Sequence, residues 1–230
     1  MIVAIHQPQF MPWLGYFDKM DQADCFVLLD NVQYKKNEWQ NRNRIKTAQG
    51  IQWLTVPVSY TFPALIMEVE VNQNNNWRRK HFQALLTNYS KAVHWEAARD
   101  ALEGFYAQDW EMLTAVSQAS IEWLRGMLGI DTKLLLGSQM ELSEDPTERL
   151  LDICRVVEAD TYLAGADGRN YMDIELFAQA GINLVFQEYE HPVYPQLFAN
   201  FESHLSALDL VLNCGPESME ILQSGRQKQG

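Results

Sequence analysis

Two short apolar runs near the start of the chain constrain the fold more than any other feature. Residues 2–5 and 26–29 are apolar, and the runs stop at His6 and at Asp30. About one helix of chain lies between them, so we predict a strand–helix–strand unit with parallel strands. Parallel pairing places His6 and Asp30 side by side at the carboxyl ends of the strands, where open α/β sheets bind ligands. We therefore expect the active site at this edge, with His6 and Asp30 as the catalytic residues.

The rest of the chain continues this alternation and has a helical middle. Further strands are predicted at residues 52–58, 66–71, 133–136, 161–164 and 182–186. Helices are predicted at residues 14–20, 77–90, 95–106, 112–128, 146–157, 173–180 and 205–212. This pattern is typical of an α/β fold with a mostly parallel, open, Rossmann-like sheet and a helical middle segment.

The length of 230 residues fits one α/β domain over residues 1–223, with a helical insert or cap at about residues 77–130. Residues 224–230 are expected to form a disordered tail. Three cysteines, Cys25, Cys154 and Cys214, lie far apart, which argues against a disulfide framework. The N-terminus enters a strand without a basic leader, and no apolar segment is long enough to span a bilayer. A cytoplasmic protein is expected.

Charge is distributed unevenly along the chain. The net charge of −12 disfavours binding to nucleic acid or to an anionic membrane. Residues 35–46 nevertheless contain a basic island made of Lys35, Lys36, Arg42, Arg44 and Lys46. Such an island on an acidic chain predicts an anionic small-molecule partner, for example a phosphate compound. The alternative is a solvated loop with scattered charge, and the oligomeric state stays open.

The polar stretch from Asp30 to Ile45 is predicted to be a loop that forms a binding surface, because its Tyr34 and Trp39 are costly to leave in water. If the chain is extended there, Arg42 and Arg44 face the same side and suit a bidentate grip on phosphate. Asn41 and Asn43 then face the other side and cap loop backbone. The predicted substrate-binding residues are Gln7, Gln9, Tyr16, Gln33, Tyr34, Lys35, Asn41, Arg42, Asn43, Arg44 and Asp167.

His6 suits a general base or acid, and the neighbouring Gln7 and Gln9 favour this function over a histidine held by loop carbonyls. Asp30 suits orientation of His6 or acceptance of a substrate hydroxyl, and its alternative is an ordinary Asx turn with Asn31.

Asp167 lies between Gly165 and Gly168, which allow backbone amides to approach a ligand, although a tight turn explains the same residues. Glu188, Tyr189 and His191 follow the last strand and are expected at the same rim.

Several well-known motifs are absent from the sequence. There is no Walker A loop, GxGxxG, GxSxG elbow, HExxH or zinc-type spacing. Standard dinucleotide binding and serine hydrolase chemistry are therefore not expected, and no metal site is predicted.

Blocks along nearly the whole chain resemble the WbqC-like protein family. They are HQPQFMPWLGYFDKM at residues 6–20, LLDNVQYKKNEWQNRNRIK at 28–46, QWLTVPV at 52–58, and the C-terminal blocks at 161–189 and 205–213. The resemblance implies a link to O-antigen and other surface polysaccharides, and hence an enzyme that modifies an activated or amino sugar. The positions that match its motifs are His6, Gln7, Pro8, Gln9, Pro12, Gly15, Tyr16, Asp30, Asn41, Arg42, Asn43 and Arg44.

The first strand, the proline-containing loop and the helix near Gly15 also resemble the first unit of HIGH-type nucleotidyltransferases such as pantothenate synthetase. Their His-x-Gly-His is replaced by WLGY at residues 13–16. This likeness concerns the fold, which does not by itself license a function.

Three functions follow as hypotheses. The first is a transferase that forms an ester or amide on an activated or amino sugar, with His6 as base and with Arg42 and Arg44 holding phosphate. The second is an ATP- or CTP-dependent nucleotidyltransferase or adenylating ligase, for which a nucleotide with Mg²⁺ is the cofactor. The third is a non-catalytic sugar-binding protein whose aromatic side chains stack on its ligand.

Overall fold

A computed structural model describes residues 1–170 and 172–227. The strands in chain order are β1 (Ile2–His6), β2 (Cys25–Leu28), β3 (Arg42–Thr47), β4 (Gly50–Thr55), β5 (Val58–Ser59), β6 (Glu70–Val71), β7 (Lys133–Leu136), β8 (Thr161–Ala164) and β9 (Asn183–Phe186). The helices are α1 (Leu14–Asp21), α2 (Trp77–Tyr89), α3 (Trp95–Ala107), α4 (Leu113–Leu128), α5 (Pro146–Val156), α6 (Ile174–Gln179), α7 (Ala207–Cys214) and α8 (Ser218–Ser224).

Five parallel strands form the central sheet in the order β7-β2-β1-β8-β9. β1 lies in the middle and pairs with β2 on one side and β8 on the other, with Ala4 opposite both Phe26 and Leu163. The predicted strand–helix–strand unit and the α/β, Rossmann-like fold class are therefore confirmed.

Both faces of the sheet are covered, because side chains alternate along each strand. Ala4 and Phe26 pack with buried residues of α1, α4 and α7 on one face. Val3 and Val27 pack with α5 and α6 on the other face. Burial on both sides explains why β1 and β2 are continuous apolar runs.

Two antiparallel hairpins depart from the predicted elements. Residues 42–45 belong to β3, which pairs with β4, whereas the sequence predicted a loop as far as Ile45. One inward position of β3 is occupied by Asn43, whose side-chain amide donates to backbone carbonyls. The sequence of β3 therefore lacks the alternation of apolar and polar residues by which a strand is recognised. Residues 66–71 were wrongly predicted as one strand: Ile66–Glu68 is a 3₁₀ turn, and β6 alone pairs with β5. Glu68 accepts a hydrogen bond from the Leu65 amide at 2.8 Å, which closes the turn.

The predicted helices of the middle segment are present as α2, α3 and α4. Gly129 ends α4 with φ of 73°, the left-handed conformation that glycine adopts readily. Asp145 caps α5 by accepting hydrogen bonds from the amides of Thr147 and Glu148.

The end of the chain is attached to α1. Residues 224–227 fall in the segment predicted to be disordered, yet Arg226 donates to the buried Asp18 at 2.6 Å and also pairs with Asp21. A charge-assisted pair with a fully buried carboxylate explains why this part of the tail has a defined position. Residues 228–230 lie outside the described residues.

Cys25, Cys154 and Cys214 are free and buried. Across residues 1–170 and 172–227, the helices are all too short or too polar to cross a membrane.

His81 in α2 makes stability depend on pH. Its ring is buried among Trp77, Phe10 and Tyr106, and burial lowers the pKa of His81 to about 4. In the unfolded chain His81 has a pKa near 6.5. Above that pH the ring is neutral in both the folded and the unfolded state, so it does not change the stability. Between about pH 6.5 and 4 the unfolded state binds more protons, and stability falls as the pH falls.

From about pH 7 to pH 5 we expect His81 to lower the free energy of unfolding by roughly 2 kcal/mol. Urea denaturation at the two pH values measures this loss, and His81→Phe should make the pH dependence shallower by about the same amount. An unchanged pH dependence in the variant would show that His81 already titrates normally in the folded chain.

Candidate functional site

A cavity of about 690 Å³ lies at the carboxyl edge of the sheet. His6 at the end of β1 and residues 165–168 after β8 both line it. The chain leaves β1 toward β2 on one side, while β8 and β9 lie on the other side. Such a change of direction opens a crevice between strand ends, which is where ligands bind in open α/β sheets.

His6 is half-buried in this cavity and its protonation state follows from its surroundings. Nδ1 lies 3.0 Å from the carbonyl oxygen of Gln7, which only accepts, so Nδ1 carries the proton and Nε2 keeps its lone pair. Burial, and secondarily the charge of Lys19, lowers the pKa of His6 to about 3. His6 is therefore a neutral acceptor at physiological pH.

Side chains of the first loop and of α1 brace His6. The Tyr16 ring packs 4.7 Å from the imidazole, and its hydroxyl donates to the Gln7 carbonyl at 3.4 Å. The Gln7 side chain accepts from Gln40 at 2.6 Å. Gln9 also lines the cavity, and its buried Oε1 has no donor within hydrogen-bond distance among the residues that the structure describes. Since buried acceptors are normally satisfied, Gln9 offers a contact for a ligand hydroxyl or amine.

Lys19 is a cavity residue that the sequence analysis missed. It lies on α1 with only 3% of its surface exposed, and its Nζ donates to the Ile5 carbonyl at 2.9 Å. Burial lowers the pKa of Lys19 to about 7. Its single sequence signal is a charged residue inside a short helix that is otherwise largely apolar.

Aromatic rings form one wall of the cavity. Trp13, Trp39, Tyr189 and His204 all line it. The Trp13 indole stacks on His204 with ring centroids 5.3 Å apart and meets Tyr189 edge-on at 6.0 Å. Aromatic faces of this kind suit the C–H face of a sugar or a flat ring. Tyr189 was predicted at this rim, whereas Trp13, Trp39 and His204 were not.

Gly15 is required beneath the Trp13 indole. A Cβ built at Gly15 would lie 2.2–2.7 Å from three carbons of that ring. We therefore expect Gly15→Ala to displace the indole, to lower stability by about 1–2 kcal/mol through overpacking, and to change tryptophan fluorescence. Thermal denaturation and emission spectra measure both effects.

Gly104 in α3 is the matched control, since a Cβ there meets nothing within 4 Å. Gly104→Ala should be neutral or stabilise by up to about 1 kcal/mol, as expected for alanine in a helix. A Gly15→Ala variant with the melting temperature and emission of the wild type would contradict the assigned position of Trp13.

Asp30 does not join His6. Its side chain is buried, and its carboxylate accepts hydrogen bonds from the Ser138 amide at 2.8 Å and from the Ser138 hydroxyl at 2.7 Å. Ser138 follows β7, the strand on the far side of β2. The expected pairing of His6 with Asp30 is therefore corrected: both follow neighbouring strands, but the Asp30 side chain points toward β7 and is not part of the cavity lining.

Arg42 and Arg44 face the same side of β3, as predicted, but they do not line the cavity. Arg42 lies over the Trp53 ring at 4.4 Å, and Arg44 lies over Trp39 at 5.2 Å. Arg44 also donates to the His204 carbonyl at 2.8 Å. Arg44 thus packs against Trp39 of the aromatic wall and Arg42 against Trp53, which contacts Trp39, so the expected shared pocket with His6 is not what the structure shows.

Lys46, the last residue of the basic island, holds a loop in place. Its side chain is buried, and Nζ donates to the Gln196 side chain at 3.0 Å and to the carbonyls of Phe198 and Asn200. Together with the bond from Arg44 to His204, it attaches residues 196–204 to β3. Two basic residues predicted for an anion thus bind backbone of the chain itself.

The remaining predicted binding residues divide between scaffold and surface. Asn43 donates to the Met11 carbonyl at 2.8 Å and Asn41 to the Val56 carbonyl at 2.8 Å, which agrees with the predicted capping of loop backbone. Tyr34 is buried against Tyr60. Outside the cavity lining, Gln33 and Lys35 are exposed. Asp167 is exposed and lies at the cavity rim.

Comparisons with known proteins agree with the motifs. The WbqC-like protein family matches residues 7–221. A relative from Mycobacterium tuberculosis (strain ATCC 25618 / H37Rv), described as "Uncharacterized protein Rv1507c", is 37% identical over 229 residues, which cover 98% of this chain and 99% of the relative. No solved structure matches the chain significantly. The predicted resemblance is confirmed over nearly the whole chain: it belongs to the WbqC-like protein family.

Proposed function

We propose that this protein is a transferase that forms an ester or amide on an activated or amino sugar, in the biosynthesis of a surface polysaccharide. One observation supports this most: two residues of the cavity lining carry acceptors without a donor among the described residues, Nε2 of His6 and the buried Oε1 of Gln9, and a wall of aromatic rings lines the same cavity. A ligand that matches it has several hydroxyl or amine donors and an apolar face. Sugars have both.

In this proposal His6 acts as the base. The acceptor hydroxyl or amine donates to Nε2, and the imidazole takes the proton as the acceptor oxygen or nitrogen attacks the carbonyl carbon of an activated acyl donor. The bond from that carbon to the leaving group then breaks, and the imidazolium returns the proton to the leaving group. The hydrogen bond from Nδ1 to the Gln7 carbonyl holds the tautomer and becomes stronger when the ring gains charge. Gln9 accepts from a second ligand donor, while Trp13 and Trp39 pack against the sugar ring.

A phosphate on the donor takes a different position from the one the sequence indicated. Arg42 lies over Trp53, Arg44 lies over Trp39, and neither lines the cavity, so they meet a phosphate only where the ligand extends beyond the cavity lining. The proposal therefore places the sugar in the cavity and the phosphate beyond it, toward Arg42 and Arg44.

The context of the reaction rests on family membership. The WbqC-like family name supports a connection to polysaccharide biosynthesis, while the mycobacterial relative adds a second member without a described activity. The catalytic step is supported by the cavity alone.

Ligand screening tests the proposal. Thermal shift, followed by calorimetry, would compare UDP-glucose and UDP-N-acetylglucosamine, the corresponding free sugars, and ATP or CTP with Mg²⁺. Stabilisation by sugars or sugar nucleotides supports the transferase. A response to ATP or CTP alone supports the nucleotidyltransferase alternative, which the Rossmann-like sheet permits. Binding of sugars without turnover of any activated donor supports the non-catalytic alternative, and no response to any probe counts against all three.

A further inference from the structure

Lys19 is placed unlike an ordinary lysine. It lines the cavity on α1 while its surface is almost wholly buried, and its stem lies near the Phe26 ring, with Nζ 5.9 Å from the centroid. Among the residues that the structure describes, the Ile5 carbonyl is its hydrogen-bond acceptor, and no carboxylate lies within ion-pair distance. The neighbouring carboxylate of Asp18 is already bound to Arg226, Gln22 and Gln187.

These surroundings favour the uncharged amine. A buried ammonium without a carboxylate partner is costly, and burial accordingly lowers the pKa of Lys19 to about 7. A neutral amine has two N–H bonds and one lone pair. One N–H is bound to the Ile5 carbonyl, the neutral amine keeps its lone pair, and Lys19 is part of the cavity lining. A desolvated lysine in an apolar setting is a nucleophile toward carbonyl carbons.

Among the described residues of the cavity lining, the other titratable groups do not provide a negative charge that would stabilise a Lys19 ammonium. His6 on β1 is neutral because burial lowers its pKa to about 3, and it directly follows Ile5, whose carbonyl accepts from Lys19. Burial raises the pKa of Tyr16 on α1 and of Tyr189, so both hydroxyls keep their protons. The carboxylates among the described lining residues, Glu38 and Asp167, are exposed at the rim.

We propose that Lys19 is a carbonyl-binding site, at which an aldehyde or ketone, such as an open-chain or keto sugar, forms an imine with Nζ. The nitrogen lone pair attacks the carbonyl carbon, and a proton moves from nitrogen to oxygen to give a carbinolamine. The C–O bond then breaks, a proton leaves nitrogen, and water is released. Hydrolysis reverses the sequence, so no oxidant or further reactant is needed. Imine formation requires only the amine and the cavity, and it is independent of the transfer reaction.

Borohydride trapping tests the inference. The full chain is equilibrated near pH 7.5 with glycolaldehyde, quenched with sodium borohydride, and mapped by peptide mass spectrometry. At this pH an amine with pKa about 7 is roughly three-quarters neutral, against about 0.1% for an ordinary lysine, so we expect Lys19 to be trapped at least about tenfold more than an exposed lysine. Lys35 and Lys36, both exposed, are the references within the same molecule.

A pH series gives a second readout that needs no variant. Trapping at Lys19 should level off above about pH 7.5, while trapping at an ordinary exposed lysine keeps rising with pH. Lys19→Met should remove the dominant labelled peptide, and Lys35→Met should leave labelling of Lys19 unchanged. Labelling of Lys19 that is equal to or weaker than that of Lys35 and Lys36, or a profile that rises with theirs, would overturn the proposal.

Discussion

Replacing His6 by Ala should lower the turnover number of the proposed transfer reaction by roughly 10²–10⁴-fold, the usual contribution of a positioned general base. Binding of the sugar should change little, because Gln9 and the aromatic wall remain. The expected signature is a loss in kcat with a nearly unchanged dissociation constant, measured by steady-state kinetics and by calorimetry. Thermal denaturation of the variant checks that the cavity is still folded.

His94 is the matched control for His6. Its imidazole lies beside Gly215, where an added Cβ would meet the His94 ring, and it is not part of the cavity lining. His94→Ala should keep the turnover number of the wild type. A His6→Ala enzyme that turns over as fast as the wild type would exclude His6 as the base, whereas loss of sugar binding in step with activity would assign it to recognition alone.

Replacing Lys46 by Met should destabilise the chain by about 3 kcal/mol, since it removes a buried charged donor and its hydrogen bonds to Gln196, Phe198 and Asn200. For a chain of this size the melting temperature should fall by roughly 6–12 °C. Phe198 and Asn200 both have positive φ, 67° and 63°, and this loop lies outside the helices and strands. It therefore has no ladder of backbone hydrogen bonds that could replace the lost bonds. Limited proteolysis should detect faster cleavage within residues 196–204.

Lys36→Met is the control for this experiment, because Lys36 is exposed and belongs to the same basic island. Its effect on stability should stay within about 0.5 kcal/mol, as is typical of surface substitutions. If Lys46→Met had the melting temperature of the wild type and an unchanged affinity for anions, the loop would be held by other contacts. If instead it lost affinity for a phosphate compound at wild-type stability, the phosphate role expected from the sequence would be restored.

Much of the fold followed from local pattern. The apolar runs at residues 2–5 and 26–29 predicted the central parallel pair because a strand buried on both faces needs no polar alternation. Asp145 and Gly129 marked helix ends through their capping chemistry. β3 was missed because its buried residues include Asn43 on one face and Lys46 on the other, and hydrogen bonds rather than apolar contacts satisfy them.

The sequence by itself determined the sheet, the family, and the position of His6 at a strand end, since these depend on short-range pattern and on residue identity. Only the tertiary structure decided which side chains share the cavity. Strand order turned Asp30 toward Ser138, and packing of α1 brought Lys19 to the Ile5 carbonyl and into the same cavity lining as His6. The same packing set the arginines and Lys46 against the chain's own aromatic rings and carbonyls. Those outcomes depend on partners distant in sequence, and no local spacing encodes them.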